Sequence, residues 1–147
     1  MYIGCILYAD DILLISASVC KLQNMLDICV SVGKSLFLSF NSLKSQCISV
    51  GCTWNYKAAD LMLDNSVLQW ANKLKYLGVT IVSGRSFSVC LDRSRQKYFA
   101  SANGLNAHCK FVFEIVKLQL FESYCLPILL YGVDCISLSK QQIQSWT

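Results

Sequence analysis

Two short apolar runs, 2–7 and 12–16, flank a pair of carboxylates at Asp10 and Asp11. Each run has strand length, so the pattern predicts a buried β-hairpin with the aspartates at or near its turn. Next, Val19, Leu22, Met25, Leu26, Cys29 and Val30 recur at three- and four-residue steps, while Lys21, Gln23, Asn24 and Asp27 face away. This is an amphipathic helix capped by Ser18, reaching about Val32 and stopped by Gly33. Leu36, Leu38 and Phe40 then alternate with Phe37 and Ser39, as in a strand. A polar break at Asn41-Ser42-Leu43-Lys44-Ser45 leads to a short strand over 46–50.

Segments 61–63 and 67–70 pair as a hairpin around the turn dipeptide Asp64-Asn65. Residues 73–81 read as a single strand carrying Lys73, Lys75 and Gly78. At Ser83-Gly84, which looks like a linker, the pattern changes from strands to helices. Over 88–107, Leu91, Tyr98, Phe99, Ala102 and Leu105 mark one helical face, with Arg93, Arg95 and Lys97 partly off it. A second helix covers 113–124, and Pro127 should kink or end it. Another helix begins at 139. The resulting fold class is α+β: an antiparallel sheet with a covering helix over 1–84, then a helical subdomain over 85–147, incomplete at its C-terminus.

Composition narrows the function classes. Hydrophobic residues make up 54% of the 147-residue chain and charged residues 15%, which supports a core and excludes a disordered chain. No apolar stretch approaches the roughly 18 to 20 residues of a spanning helix, and no basic region precedes an apolar core at the N-terminus. The expectation is a soluble, intracellular protein, in nucleus or cytoplasm. Nine cysteines without a Cys-x-x-Cys pair, beside one histidine, argue against a zinc site and against a secreted disulfide framework. Buried free thiols acting as small apolar residues account for them. The net charge of +4 permits nucleic-acid binding. Its distribution says more, since Arg85, Arg93 and Arg95 fall close together, with Lys97 just behind.

The chemistry centres on the hairpin. Buried strands carry bare carboxylates only at high cost, so Asp10 and Asp11 belong at the tip, facing solvent, a cation or both. Two neighbouring carboxylates on a rigid tip suit a hard, oxygen-loving ion such as Mg²⁺.

Tyr8-Ala9-Asp10-Asp11 resembles the Tyr-x-Asp-Asp signature of reverse transcriptases, and the flanking apolar residues resemble their palm hairpin. Three later blocks occur in the same order as in that family. Asn41-Ser42-Leu43-Lys44-Ser45 is similar to its Asn-x-x-Lys-Ser segment. Tyr76-Leu77-Gly78-Val79 resembles the primer grip. Tyr124-Cys125-Leu126-Pro127-Ile128-Leu129-Leu130-Tyr131-Gly132 resembles the thumb of non-LTR (LINE-type) retrotransposon reverse transcriptases. The resemblance spans nearly the whole chain, and its specificity comes from the order of the blocks.

The resemblance implies the C-terminal part of a palm over 1–84 and a helical thumb over 85–147. It implies RNA-directed DNA synthesis from dNTPs on an RNA template and DNA primer, using two Mg²⁺ ions. Asp10 would be the stronger metal ligand and Asp11 would assist, both counted as catalytic. Lys44 would protonate the departing pyrophosphate. Lys75, Tyr76, Leu77 and Gly78, with Arg93, Arg95 and Lys97, would contact the RNA–DNA duplex; glycine permits close approach and the cations offset phosphate charge. The chain starts only seven residues before the tetrapeptide, so the family's earlier aspartate strand and its fingers would lie before Met1. The expectation is therefore a fragment inactive by itself, with an open sheet edge through which it self-associates. Two further readings stay open: a non-catalytic duplex-binding remnant, and a small structural domain whose Asp-Asp pair is only turn chemistry.

Overall fold

The computed structural model describes residues 4–55 and 58–133; the beginning of the first apolar run and the helix expected from 139 lie outside them. The chain divides into two compact units: residues up to 74 together with 83–86, and residues 75–82 together with the chain from 87 onward. In order, the elements are β1 (Cys5–Tyr8), β2 (Asp11–Leu14), α1 (Val19–Ser35), β3 (Gln46–Cys47), β4 (Leu61–Leu63), β5 (Ser66–Trp70) and β6 (Lys73–Tyr76). Then follow β7 (Val79–Val82), β8 (Ser88–Cys90), α2 (Asp92–His108), α3 (Glu114–Leu120), a π-helical turn (Phe121–Cys125) and α4 (Leu126–Leu130). The class is α+β, as expected. The strands form three small sheets, ordered β1-β2, β3-β5-β4 and β6-β7-β8. β3 runs parallel to β5, so the β3-β5-β4 sheet is mixed rather than wholly antiparallel. The long connection from β3 to β5 gives the chain room to return in the same direction.

In the first unit, Cys47, Leu61, Leu63 and Leu68 are buried together. The apolar stripe of α1 closes over them through Val19, Leu22, Leu26 and Val30, which is the packing its periodicity predicts. Burial pushes the Cys47 thiol above its usual range. Cys29 is also pushed up, by burial first and by the neighbouring Cys5 thiol second. The expectation of uniformly buried thiols fails, because Cys5, Cys20 and Cys52 are exposed. Gln23 does not face away as its helix position suggested. Its amide donates to the Met62 carbonyl at 2.9 Å and accepts from the Met62 N–H at 2.8 Å, which occupies edge strand β4 as a neighbouring strand would.

Gly33 does not stop α1. It lies in the last turn, and a Cβ there would come 2.9 Å from the Phe40 ring. The stop is Phe37, at φ 57. Its N–H donates to the Lys34 carbonyl, and the Leu38 N–H donates to the Gly33 carbonyl at 2.8 Å. These are the two bonds of a Schellman cap, a place that ordinarily takes glycine. The cap also removes the strand expected over 36–40, because a left-handed residue cannot sit in a strand. Phe37 is 98% exposed, so its ring offers no burial in return. Phe37→Gly should therefore stabilise the chain by about 0.5–1 kcal/mol, the backbone strain relieved less the entropy glycine adds to the unfolded state. An unchanged or lower midpoint in urea denaturation would contradict this.

Other differences are local. The strand expected over 46–50 shortens to β3, with Val50 in an isolated parallel bridge to Gly84. Ser83-Gly84 is no linker: the Ser83 hydroxyl donates to Ser49 O at 2.6 Å, and its N–H donates to Asn72 O at 2.8 Å. Ser18 occupies the N-cap position of α1 without a capping side-chain bond. The β4–β5 hairpin turns at Asp64-Asn65 as predicted, with Asp64 at φ 55 and its carboxylate 2.8 Å from Lys34 Nζ.

In the second unit, the strand expected over 73–81 breaks into β6 and β7 at Leu77-Gly78 (φ 45 and 83), a two-residue hairpin turn. The helix expected from 88 begins only at Asp92. Residues 88–90 pair instead with 80–82 as β8, leaving Val89 and Leu91 buried. Pro127 does not end the helical run. The turn before it widens, so that the Leu126 N–H donates to Phe121 O, five residues back, and the helix continues as α4. A widened turn of this kind accommodates a proline that lacks the amide for an ordinary one. Cys125, within that turn, is fully buried, and its Sγ lies 3.5 Å from Ser101 Oγ on α2.

Candidate functional site

Residues 5–8 pair with 11–14, in the register Tyr8 with Asp11, so Ala9 and Asp10 make the turn. Ala9 has φ 50, a conformation an alanine takes only under constraint. Asp10 therefore projects from the turn itself, whereas Asp11 is the first residue of β2. Successive residues on a strand point to opposite faces. The two carboxylates thus differ in setting although adjacent in sequence. Both are exposed, and among the described residues no hydrogen bond or ion pair engages either one. The hairpin was expected to be buried. Instead Leu7 and Tyr8 are 67% and 63% exposed, and within this sheet β1 and β2 have only each other.

Free carboxylates at a tip fit a hard cation, but they make only part of a site. No group of three or more metal-ligating side chains occurs among the described residues. Lys44 sits in a loop ordered by Asn41, whose Oδ1 accepts from the Leu43 and Lys44 amides and whose carbonyl accepts from Ser45. The Lys44 side chain is exposed and makes no bond among the described residues.

The second unit gathers residues far apart in sequence. A cleft of about 70 Å³ is lined by Lys75 and Gly78 from the β6–β7 hairpin, Arg93, Ser94 and Lys97 from α2, and Tyr131. Four residues expected to contact nucleic acid (Lys75, Gly78, Arg93 and Lys97) thus meet in one place. The other three, Tyr76, Leu77 and Arg95, do not line it. The Tyr76 hydroxyl is buried without a hydrogen-bond partner among the described residues. Tyr131 is a residue for which the sequence suggested no individual role. Its hydroxyl donates to Leu77 O at 2.7 Å, and a Cβ on Gly78 would lie 2.9 Å from its ring. It pins the hairpin turn. The only sequence signal for it was its place in the block 124–132.

The family model for reverse transcriptase (RNA-dependent DNA polymerase) matches residues 2–81, more than half of the chain. The chain belongs to the reverse transcriptase family. No curated protein and no solved structure matches it. The match covers the Asp-Asp hairpin, Lys44 and the β6–β7 turn of this reverse-transcriptase-family chain. Among its described residues, no helix is long and apolar enough to cross a membrane.

Proposed function

We propose that the chain is part of a non-LTR retrotransposon reverse transcriptase, with its catalytic hairpin in the first unit and a nucleic-acid contact surface in the second. The observation that carries the reading is the position of Asp10 and Asp11 at a hairpin tip, unpaired and inside the family match. In the intact polymerase, Asp10 would be the main metal ligand and Asp11 would assist. Bound Mg²⁺ would supply charge stabilisation for nucleotidyl transfer. The chain's own contribution is to hold the carboxylates on a short, constrained turn. Lys44, on its Asn41-ordered loop, is the candidate proton donor to pyrophosphate. Lys75, Arg93 and Lys97 offset phosphate charge along an RNA–DNA duplex, so duplex binding weakens as salt rises.

Two neighbouring carboxylates carry too little charge to gather two metals, so further ligands come from outside the described residues. The isolated chain should therefore bind Mg²⁺ weakly, on the order of millimolar, and extend no primer. Paramagnetic broadening by Mn²⁺ should centre on residues 8–12 in the wild type and disappear in Asp10→Ala. Broadening that survives this substitution removes Asp10 from the metal site. Mg²⁺-dependent primer extension by the chain alone, abolished in Asp10→Ala, would overturn its assignment as an incomplete piece.

A further inference from the structure

The cleft in the second unit has a composition that duplex contact alone does not require. Lys75, Arg93 and Lys97 line it together with the hydroxyl residues Thr80 and Ser94, and no acidic residue does. Among the described residues none of the three cations is in an ion pair. The nearest acid in sequence, Asp92, accepts from the Cys90 thiol at 3.1 Å and is not part of the lining. Like charges brought together without a counter-charge repel, and an anion in the cleft reverses the sign of that energy. Arg93 and Ser94 also lie in the first turn of α2, a helix of 17 residues whose N-cap, Leu91, makes no side-chain bond. The first-turn amides and the positive end of the helix add to the same field.

Size and shape select among anions. The volume corresponds to roughly five waters' worth of space, enough for one tetrahedral group of a phosphorus and four oxygens. Gly78 and Tyr131 are part of the lining, and the Tyr131 hydroxyl bonds Leu77 O at 2.7 Å. An internal phosphodiester carries one negative charge and needs the strand to continue on both sides. A terminal phosphomonoester carries nearly two near neutrality and needs only one exit.

We infer that this cleft, lined by Lys75, Arg93 and Lys97, seats the terminal phosphate of a nucleic-acid strand. The inference rests on the reading that the second unit contacts nucleic acid. The ligand chemistry is a phosphate dianion; a strand end and free inorganic phosphate both supply it.

The test uses the full chain and fluorescence anisotropy with one oligonucleotide in two forms, 5′-phosphorylated and 5′-hydroxyl, and inorganic phosphate as competitor. The phosphorylated form should bind about tenfold more tightly, the effect of one charge-assisted contact set. Inorganic phosphate should compete with it far more weakly than the unlabelled phosphorylated strand does. Arg93→Gln and Lys97→Gln should erase the preference, whereas Lys110→Gln, which removes an exposed cation outside the cleft, should keep it. All three sites are exposed, so the fold tolerates these changes. Equal binding of both forms, weakened alike by Arg93→Gln and Lys110→Gln, overturns the seat and leaves duplex contact standing. Failure of both forms to bind overturns the seat and the nucleic-acid reading together. Competition by free phosphate as effective as the strand assigns the cleft to free phosphate and overturns the strand-end inference.

Discussion

Leu61→Ala should lower the thermal midpoint of the first unit by about 8–40 °C. Leu61 is fully buried, at the centre of a core whose other buried members are Cys47, Leu63 and Leu68. Truncating a leucine at such a position costs about 2–5 kcal/mol, the transfer energy of the lost methyl groups plus the cavity left behind. Each kcal/mol moves the midpoint of a domain this small by about 4–8 °C. The core is too small to spread the loss. Val19, Leu22, Leu26 and Val30 cover it from a single helix, and that helix is also tied to β4 through Gln23. The matched control is Met62→Ala on the same strand, where Met62 is 38% exposed and the methyl groups removed are partly in water already. Circular dichroism melts of the two variants should separate clearly. A Leu61→Ala midpoint within about 2 °C of wild type would mean that this cluster is not what holds the unit together.

That core was readable because it follows from two periodicities, the stripe of α1 and the alternation of β4 and β5. Asp64-Asn65 turns a hairpin through its own local chemistry, so the β4–β5 pair needed no tertiary information. Where a local cap or tight turn overrode the side-chain pattern, the pattern misled. Leu36, Leu38 and Phe40 alternate like a strand, yet the Schellman bonds at Gly33 and Lys34 place Phe37 in the left-handed region. Residues 73–81 look continuous because Leu77-Gly78 lacks the asparagine or aspartate that usually marks such a turn. Val89 and Leu91 did alternate with Ser88 and Cys90, but the helical pattern after them masked a three-residue strand.

The candidate sites divide in the same way. Asp10 and Asp11 were legible because a carboxylate pair between two strand-length apolar runs has few other places to go. Lys75, Arg93 and Lys97 stood out by charge, but nothing in their spacing said that one cleft joins them. Tyr131 was invisible as an individual residue, because its bond to Leu77 spans 54 positions. Constraint at Ala9 and at Leu77 belongs to the same class: a non-glycine residue at positive φ shows itself only in the backbone.

Gly78→Ala should cost about 1.5–3.5 kcal/mol in the second unit, and the cost should depend on Tyr131. Two effects combine. At φ 83 an alanine bears the backbone strain that glycine avoids, about 1–2 kcal/mol. Its methyl group would also lie 2.9 Å from the Tyr131 ring, so the ring must move and its bond to Leu77 O is lost, about 0.5–1.5 kcal/mol more. Tyr131→Phe isolates the second effect, since it deletes the hydroxyl and keeps the ring; about 1 kcal/mol is expected from it. Tyr131→Ala removes the obstacle altogether. In the double variant the added methyl meets open space, so the two single costs should exceed the double cost by about 1 kcal/mol or more in urea denaturation. Additive costs would mean that backbone strain alone sets the penalty and that Tyr131 does not clamp the turn. The same series bears on the cleft, because Lys75 stands two residues before Leu77-Gly78 on β6. If the clamp positions this lysine, Tyr131→Phe weakens binding of a 5′-phosphorylated strand more than it weakens binding of its 5′-hydroxyl counterpart. Equal weakening of both would confine Tyr131 to holding the fold.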